Sequence, residues 1–320
     1  MITQLQAHVK PLLKLFGFKF EKRKISDHEI VLWRSPQLGA RQNNRLVIVP
    51  GFGDTPLSWM PVVFNLLALM KSKPKTNHQF SEIVLIELPG YIGSLYSPGY
   101  SPGYAPDPAE SKKPLPVRRK KKAPKTLEQL ASITNELVNE LQPVTLVGHS
   151  MGGFLAANYC INFPRTSIKQ LILLCPSGMI QSQKEQKRTE EILKKAAEGT
   201  GGPFIELAIG PKSKNPSSWV RHKIVAREFE EFLSRDESRS ILMSFKKEHE
   251  MNQRAKLIQV PVRLIWGEDD QLIRIESFKL WRKALAPRAN SKLEATKIKK
   301  ATHSIQLEAP RQIAEIIGKL

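Results

Sequence analysis

Cysteine is nearly absent. The 320-residue chain holds two, Cys160 and Cys175. That is too few for a disulfide scaffold, and no Cys/His cluster has the spacing of a zinc site. Both lie in apolar stretches, which reads as reduced, buried thiols in a reducing compartment. Long hydrophobic runs are missing as well. The best, Val62–Met70, is broken by Asn65, whereas a membrane-spanning helix needs about 20 consecutive apolar residues. No signal peptide is expected: Met1–Lys10 has no basic region followed by an apolar core, and Lys10, Lys14 and Lys19 interrupt the stretch up to Phe20. Acidic residues are scarce beside basic ones, 30 Asp and Glu against 50 Lys and Arg, for a net charge of +20. Such a surface attracts anionic partners or simply confers solubility, and says little about chemistry. The expected location is cytoplasmic, with peripheral membrane contact as an option. What is present is ample apolar material, 41% of residues, enough to bury a sizeable core.

Ile2, Leu5, Val9, Leu12, Leu13 and Phe16 recur at helical spacing around Pro11. This predicts an amphipathic helix that docks on its own domain or lies on a membrane surface, docking being the simpler reading. Strand patterns come next, at Phe18–Lys24 and Glu29–Trp33. Leu46–Pro50, Ile83–Leu88, Val144–Val147, Leu171–Leu174 and Val262–Trp266 are short and almost wholly apolar, as strands covered on both faces are. Leu293–Ile298 is the last candidate strand. Helical patterns, notably Thr126–Leu141 and Phe154–Ile161, alternate with them. The fold class is therefore α/β, a mostly parallel central sheet with helices on both faces.

Two segments interrupt the rhythm. Residues 95–125 carry the tandem SPGY repeat (Ser97–Tyr104), many prolines and the basic run Arg118–Lys122. This reads as a basic, proline-rich inserted loop. Residues 179–259 are helical, rich in Lys and Glu, and fall between two sheet strands, so they read as a cap above the sheet, with Gly199–Pro203 as a hinge. The expected division is an N-terminal segment with the first strand (1–26), a core (27–178 and 260–320) and a helical cap (179–259).

Chemistry concentrates at Gly148-His149-Ser150-Met151-Gly152, a G-x-S-x-G sequence between a buried strand and an apolar helix. Small residues on both sides permit a sharp turn that lifts Ser150 above the strand edge, where the helix N-terminus aims its amides. A serine nucleophile needs a base, and the base an orienting acid. Of seven histidines, only His303 follows the last candidate strand, where the third member must come in the order Ser, Asp, His. His149, inside the turn, is expected to point away. For the acid, Val262–Trp266 runs into Gly267-Glu268-Asp269-Asp270 at the sheet's carboxyl edge. Asp270 is the choice and Asp269 the runner-up. The N–H groups of Met151 and of Phe52, in the glycine-rich loop after Leu46–Pro50, are the candidate oxyanion donors.

Taken together, Pro50–Trp59 (PGFGDTPLSW), Glu87–Ser94 (ELPGYIGS), Val147–Gly153 (VGHSMGG), Trp266–Asp270 (WGEDD) and His303–Pro310 (HSIQLEAP) resemble the α/β-hydrolase fold family. The likeness is specifically to its capped serine lipase and esterase branch, which includes monoacylglycerol-lipase-like enzymes. The resemblance spans nearly all of residues 27–320. It implies Ser150 as nucleophile, Asp270 as acid and His303 as base, with no metal or organic cofactor. Pro50 stands where the family usually has His, Ala301-Thr302 where Gly often precedes the base, and the insertion after Ser94 is not a usual feature. Relatives that use an aspartate nucleophile are set aside by Ser150.

The expected function is carboxylic ester hydrolysis through an acyl-enzyme. The alternatives are C–C bond hydrolysis, thioester hydrolysis or acyl transfer by the same triad, or a non-catalytic fold relative. Phe204, Ile205, Leu207, Ile209 and Trp219 are candidate acyl-pocket residues. The expected partner is a small-molecule or lipid ester, with peripheral contact to an anionic membrane through the insertion. No specific nucleic-acid binding is expected, and the chain reads as a monomer or homodimer.

Overall fold

The computed structural model describes residues 2–39, 43–72, 78–89, 126–180, 182–197, 206–208, 232, 236–286 and 292–319. The insertion at 95–125, the hinge at Gly199–Pro203 and the pocket candidates Phe204, Ile205, Ile209 and Trp219 lie outside them.

Eight strands form one sheet: β1 (Lys19–Ile25), β2 (His28–Arg34), β3 (Arg45–Val49), β4 (Glu82–Glu87), β5 (Val144–His149), β6 (Ile168–Leu174), β7 (Val262–Gly267) and β8 (Leu293–Ile298). Their spatial order is β1-β2-β4-β3-β5-β6-β7-β8. β2 pairs antiparallel with both β1 and β4, and every later pairing is parallel. The sheet is thus mostly parallel, as the sequence predicts. β4, β5 and β7 are buried along their whole length, which explains their lack of polar alternation: helices cover both faces. The edge strands differ. β1 (KFEKRKI) and β8 (LEATKI) expose polar side chains, and charges along an edge discourage pairing with another chain.

Among the described residues the α-helices are α1 (Ile2–Leu15), α2 (Pro56–Lys71), α3 (Leu127–Leu141), α4 (Met151–Asn162), α5 (Gln183–Ala197), α6 (Asp236–Met243), α7 (Ile275–Leu285), α8 (Ile305–Glu308) and α9 (Pro310–Ile317). α2 and α3 begin at threonine caps: Thr55 accepts the Leu57 N–H at 3.2 Å and Thr126 the Gln129 N–H at 3.3 Å. Among the described residues no helix is long and apolar enough to cross a membrane.

One face of α1 docks on the body. Leu13 is buried, Val9 packs on the core, and Lys10 Nζ lies 3.7 Å from the buried Glu87 carboxylate and 5.0 Å from the Trp33 ring centre. The opposite side leaves Leu12, Leu15 and Phe16 exposed at 55%, 83% and 67%. Within 179–259, Met251, Ala255 and Ile258 belong to the same buried core as the sheet, while α5 and α6 pack on each other at the carboxyl edge.

Candidate active site

β5 delivers the chain to Ser150 and α4 leaves from it. Ser150 has φ +53° and ψ −120°, a region that non-glycine residues occupy at a cost of order 1–3 kcal/mol. Backbone bonds hold the turn: Ser150 N–H donates to Leu174 O at 2.9 Å, and Ser150 O accepts from Phe154 N–H at 3.1 Å and Ser177 N–H at 3.0 Å. Close approach of α4 to β3 depends on Gly152, where a Cβ would stand 2.3 Å from the carbonyl oxygens of Val49 and Pro50. The helix begins at Met151, so its N–H lies in the first turn, where no intrahelical partner exists.

The acid and base loops are zipped together by backbone bonds. Glu268 N–H donates to Ile298 O at 3.0 Å and Asp269 N–H to Ala301 O at 2.9 Å. Asp270, 2% exposed, accepts on Oδ1 from the N–H groups of Leu272 (3.0 Å) and Ile273 (2.8 Å). Its Oδ2 accepts from Nδ1 of His303 at 2.8 Å, and His303 is also buried. A carboxylate only accepts, so Nδ1 carries a proton, and in the neutral ring Nε2 holds the lone pair. Asp269 is exposed and Glu268 pairs with Lys297 at 3.2 Å. Of the acids in the loop, Asp270 is the one brought to His303. Thr302 braces the base loop, its N–H and hydroxyl both donating to Glu308, at 2.6 and 2.8 Å.

Ser150, Met151 and Phe52 line one cavity of about 310 Å³. Its walls are largely apolar, with Met179, Ile180, Ile241, Leu242, Phe245 and Ile273 among them. Of the pocket candidates named from sequence, Leu207 is described and does not line it. Burial pushes the Cys160 thiol up to about 12 and the Cys175 thiol well above its usual range, the latter helped by the Asp270 carboxylate. Both thiols are thus held protonated and buried.

Sequence reasoning missed three residues. His149 does not point away: its Nε2 lies 3.0 Å from His303 O and its ring centre 4.9 Å from that of His303. Asp54 and Gln306 lie beside it, Gln306 Nε2 donating to Asp54 Oδ2 at 3.2 Å. The available signal was a polar residue flanking each of the three motif loops.

Residues 46–316 match the model of the alpha/beta hydrolase family, and the chain belongs to that family. More particularly, it is similar to the protein named monoacylglycerol lipase ABHD6 in Homo sapiens, 28% identical over 188 residues, and in Bos taurus, 27% identical over 190. Each alignment covers 55% of this chain and 54% of the relative, so the chain spans about half the length of the curated relatives it matches. Two solved structures share the fold over almost the whole chain. Carboxylesterase CesB from Bacillus subtilis superposes with a TM-score of 0.63 at 18% identity, covering 99% of this chain and 97% of that one. A membrane phospholipase A superposes at 0.67 and 16%, covering 98% and 89%.

Proposed function

We propose that the protein is a serine ester hydrolase whose triad is Ser150, His303 and Asp270. One observation carries this reading: a strained Ser150 opens onto an apolar cavity, and a buried Asp270–His303 pair at the same sheet edge keeps a lone pair on Nε2. Ser150 Oγ attacks the ester carbonyl and passes its proton to His303 Nε2. Asp270 stabilises the resulting imidazolium. The N–H groups of Met151 and Phe52 hold the oxyanion. Collapse returns the proton from His303 to the departing alkoxide, leaving acyl-Ser150. Water, deprotonated by the same base, then releases the acid.

The substrate class is an ester with an apolar acyl chain. The cavity, about 310 Å³ and lined largely by apolar side chains, suits such a chain. The name of the ABHD6 relatives, monoacylglycerol lipase, supports a lipid monoester. α5 and α6, which line the cavity, support the reading of 179–259 as a cap. Fluorophosphonate labelling and turnover of p-nitrophenyl esters of graded chain length test the proposal. Ser150→Ala should fold, lose the label and lose activity about 10⁶-fold. An active, unlabelled Ser150→Ala protein overturns the triad.

We further propose peripheral attachment to an anionic membrane in a reducing, cytoplasmic setting. The exposed ridge Leu12, Leu15 and Phe16, flanked by Lys14 and Lys19, favours it, since apolar insertion and basic attraction act together. Sedimentation with anionic vesicles should fall on replacing the three ridge residues by serine while soluble-ester turnover is kept. Unchanged sedimentation refutes the ridge.

A further inference from the structure

We infer that His149, the residue preceding the nucleophile, is a positioning residue that, with Asp54 and Gln306, registers the nucleophile turn, the oxyanion loop and the base loop against one another. The inference rests on the triad reading. The deciding atom is a carbonyl oxygen. His303 O accepts only, so the 3.0 Å contact requires the proton of His149 to be on Nε2. That bond joins the backbone of the base to the last residue of β5, one peptide from Ser150. Other bonds of the base loop lead elsewhere: Thr302 to Glu308, and the Ser304 N–H and hydroxyl to Ala208 O at 3.1 and 3.0 Å. Among the described residues, the bond from His149 is the one that ties His303 directly to β5.

The oxyanion loop is tied in through Asp54. Its Oδ1 accepts from Thr55 N–H at 2.8 Å and from the Ser58 hydroxyl, anchoring it to the start of α2. Its Oδ2 accepts from Trp59 Nε1 at 3.1 Å and from Gln306 Nε2 at 3.2 Å. Gln306 lies in α8, three residues beyond His303, so the base loop is clamped twice, once at its backbone and once at α8. His149 Nδ1 is buried without a hydrogen-bond partner, 3.7 Å from Asp54 Oδ2. A Cβ on Gly51 would stand 2.8 Å from that nitrogen and 3.2 Å from Ser150 Cβ. The His149 ring is thus wedged between the oxyanion loop and the base. Tilting it displaces His303 and the Phe52 amide together, while the apolar walls of the cavity stay in place. A misplacement of about 1 Å at a reacting group costs on the order of 10²-fold in rate.

The test separates a hydrogen bond from mere packing. His149→Leu keeps bulk and removes the N–H; His149→Gln restores an amide N–H at similar reach. His149→Leu should lower kcat about 10–100-fold with KM within about twofold and should slow fluorophosphonate labelling in parallel, while His149→Gln recovers most of both. Gln306→Leu, which releases the second clamp, should lower kcat with KM unchanged, and it serves if His149→Leu fails to fold. Full kcat in His149→Leu, equal impairment in the Leu and Gln variants, or full kcat in Gln306→Leu each overturns the inference. Ser150→Ala and His303→Ala, run alongside, keep the two readings apart: if those are inactive while His149→Leu is fully active, the positioning role alone falls.

Discussion

Replacing Asp270 by Asn is a near-isosteric change whose consequence the hydrogen bonds dictate. Oδ1 accepts two backbone N–H groups, from Leu272 and Ile273. An Asn side chain must keep its oxygen there, because its NH₂ would face two donors. The NH₂ is then forced to the place of Oδ2, 2.8 Å from His303 Nδ1, where it donates. His303 must accept on Nδ1 and carry its proton on Nε2, the nitrogen that receives the serine proton in the proposed mechanism. The base is present but in the wrong tautomer, and no charge remains to stabilise an imidazolium. In serine proteases this exchange costs about 10⁴-fold in kcat, about 5.4 kcal/mol at 1.36 kcal/mol per tenfold. Steady-state turnover of a p-nitrophenyl ester near pH 8 measures it, with thermal melting as the fold control. Asp269→Asn is the internal comparison, since Asp269 is exposed and meets Ala301 O through its backbone; it should stay near wild type. Asp270→Asn within tenfold of wild type, or a crippled Asp269→Asn, refutes the reasoning.

Gly51→Ala should lower both kcat and stability, the latter by about 1–3 kcal/mol as overpacking does, because the new methyl meets His149 Nδ1 at 2.8 Å; calorimetry and turnover report the two effects. Burial raises the Glu87 carboxyl above its ordinary value of 4.5, against the opposing pull of Lys10. The folded state therefore binds that proton more tightly than the unfolded chain, and stability is lost as pH rises from about 4.5 through the folded value. Glu87→Gln keeps an acceptor for Trp33 and removes this slope, so its melting temperature should gain on wild type between acid and neutral pH; a constant gap refutes the assignment.

Much of this is legible because local chemistry and fold agree. β3 to β7 read as strands since each has a run of apolar residues buried between the helices on both faces. The turn at Ser150 reads correctly because Gly148 and Gly152 leave room for it. α4 starts at Met151 rather than at Phe154, because Gly152 and Gly153 suggest a turn where close packing needs glycine inside the helix. Other features depend on distant partners. Asp54 meets Gln306 across 252 positions, and no local pattern announces that bond. For α1 the sequence shows apolar spacing on more than one side, and only packing decides that Leu13 goes in while Leu12, Leu15 and Phe16 stay out. The direction of the His149 ring is hidden for the same reason: it depends on the His303 carbonyl, brought by the loop that follows β8, three strands away in the sheet.

The basic character of the chain and the chemistry of its site are separable. The net charge is +20, yet the ionic groups at the cavity balance: Glu185, Glu190 and Glu250 against Lys246, Lys247 and Arg274. Glu185 and Arg274 are paired at 2.7 Å, and the inner walls are apolar. Long-range attraction from the rest of the surface is screened over about 10 Å at 0.1 M salt, and it meets a balanced set of charges at the cavity wall. In the proposed function, substrate selection rests on apolar burial, which salt does not weaken, while attachment to an anionic surface draws in part on charge, which salt does weaken. Raising salt from about 20 mM to about 300 mM, where the Debye length contracts severalfold, should release the protein from anionic vesicles and leave kcat/KM for a short neutral ester nearly unchanged. A kcat/KM that falls in step with vesicle binding would mean that the basic surface acts on the substrate itself, and the separation argued from the cavity's charges would be lost.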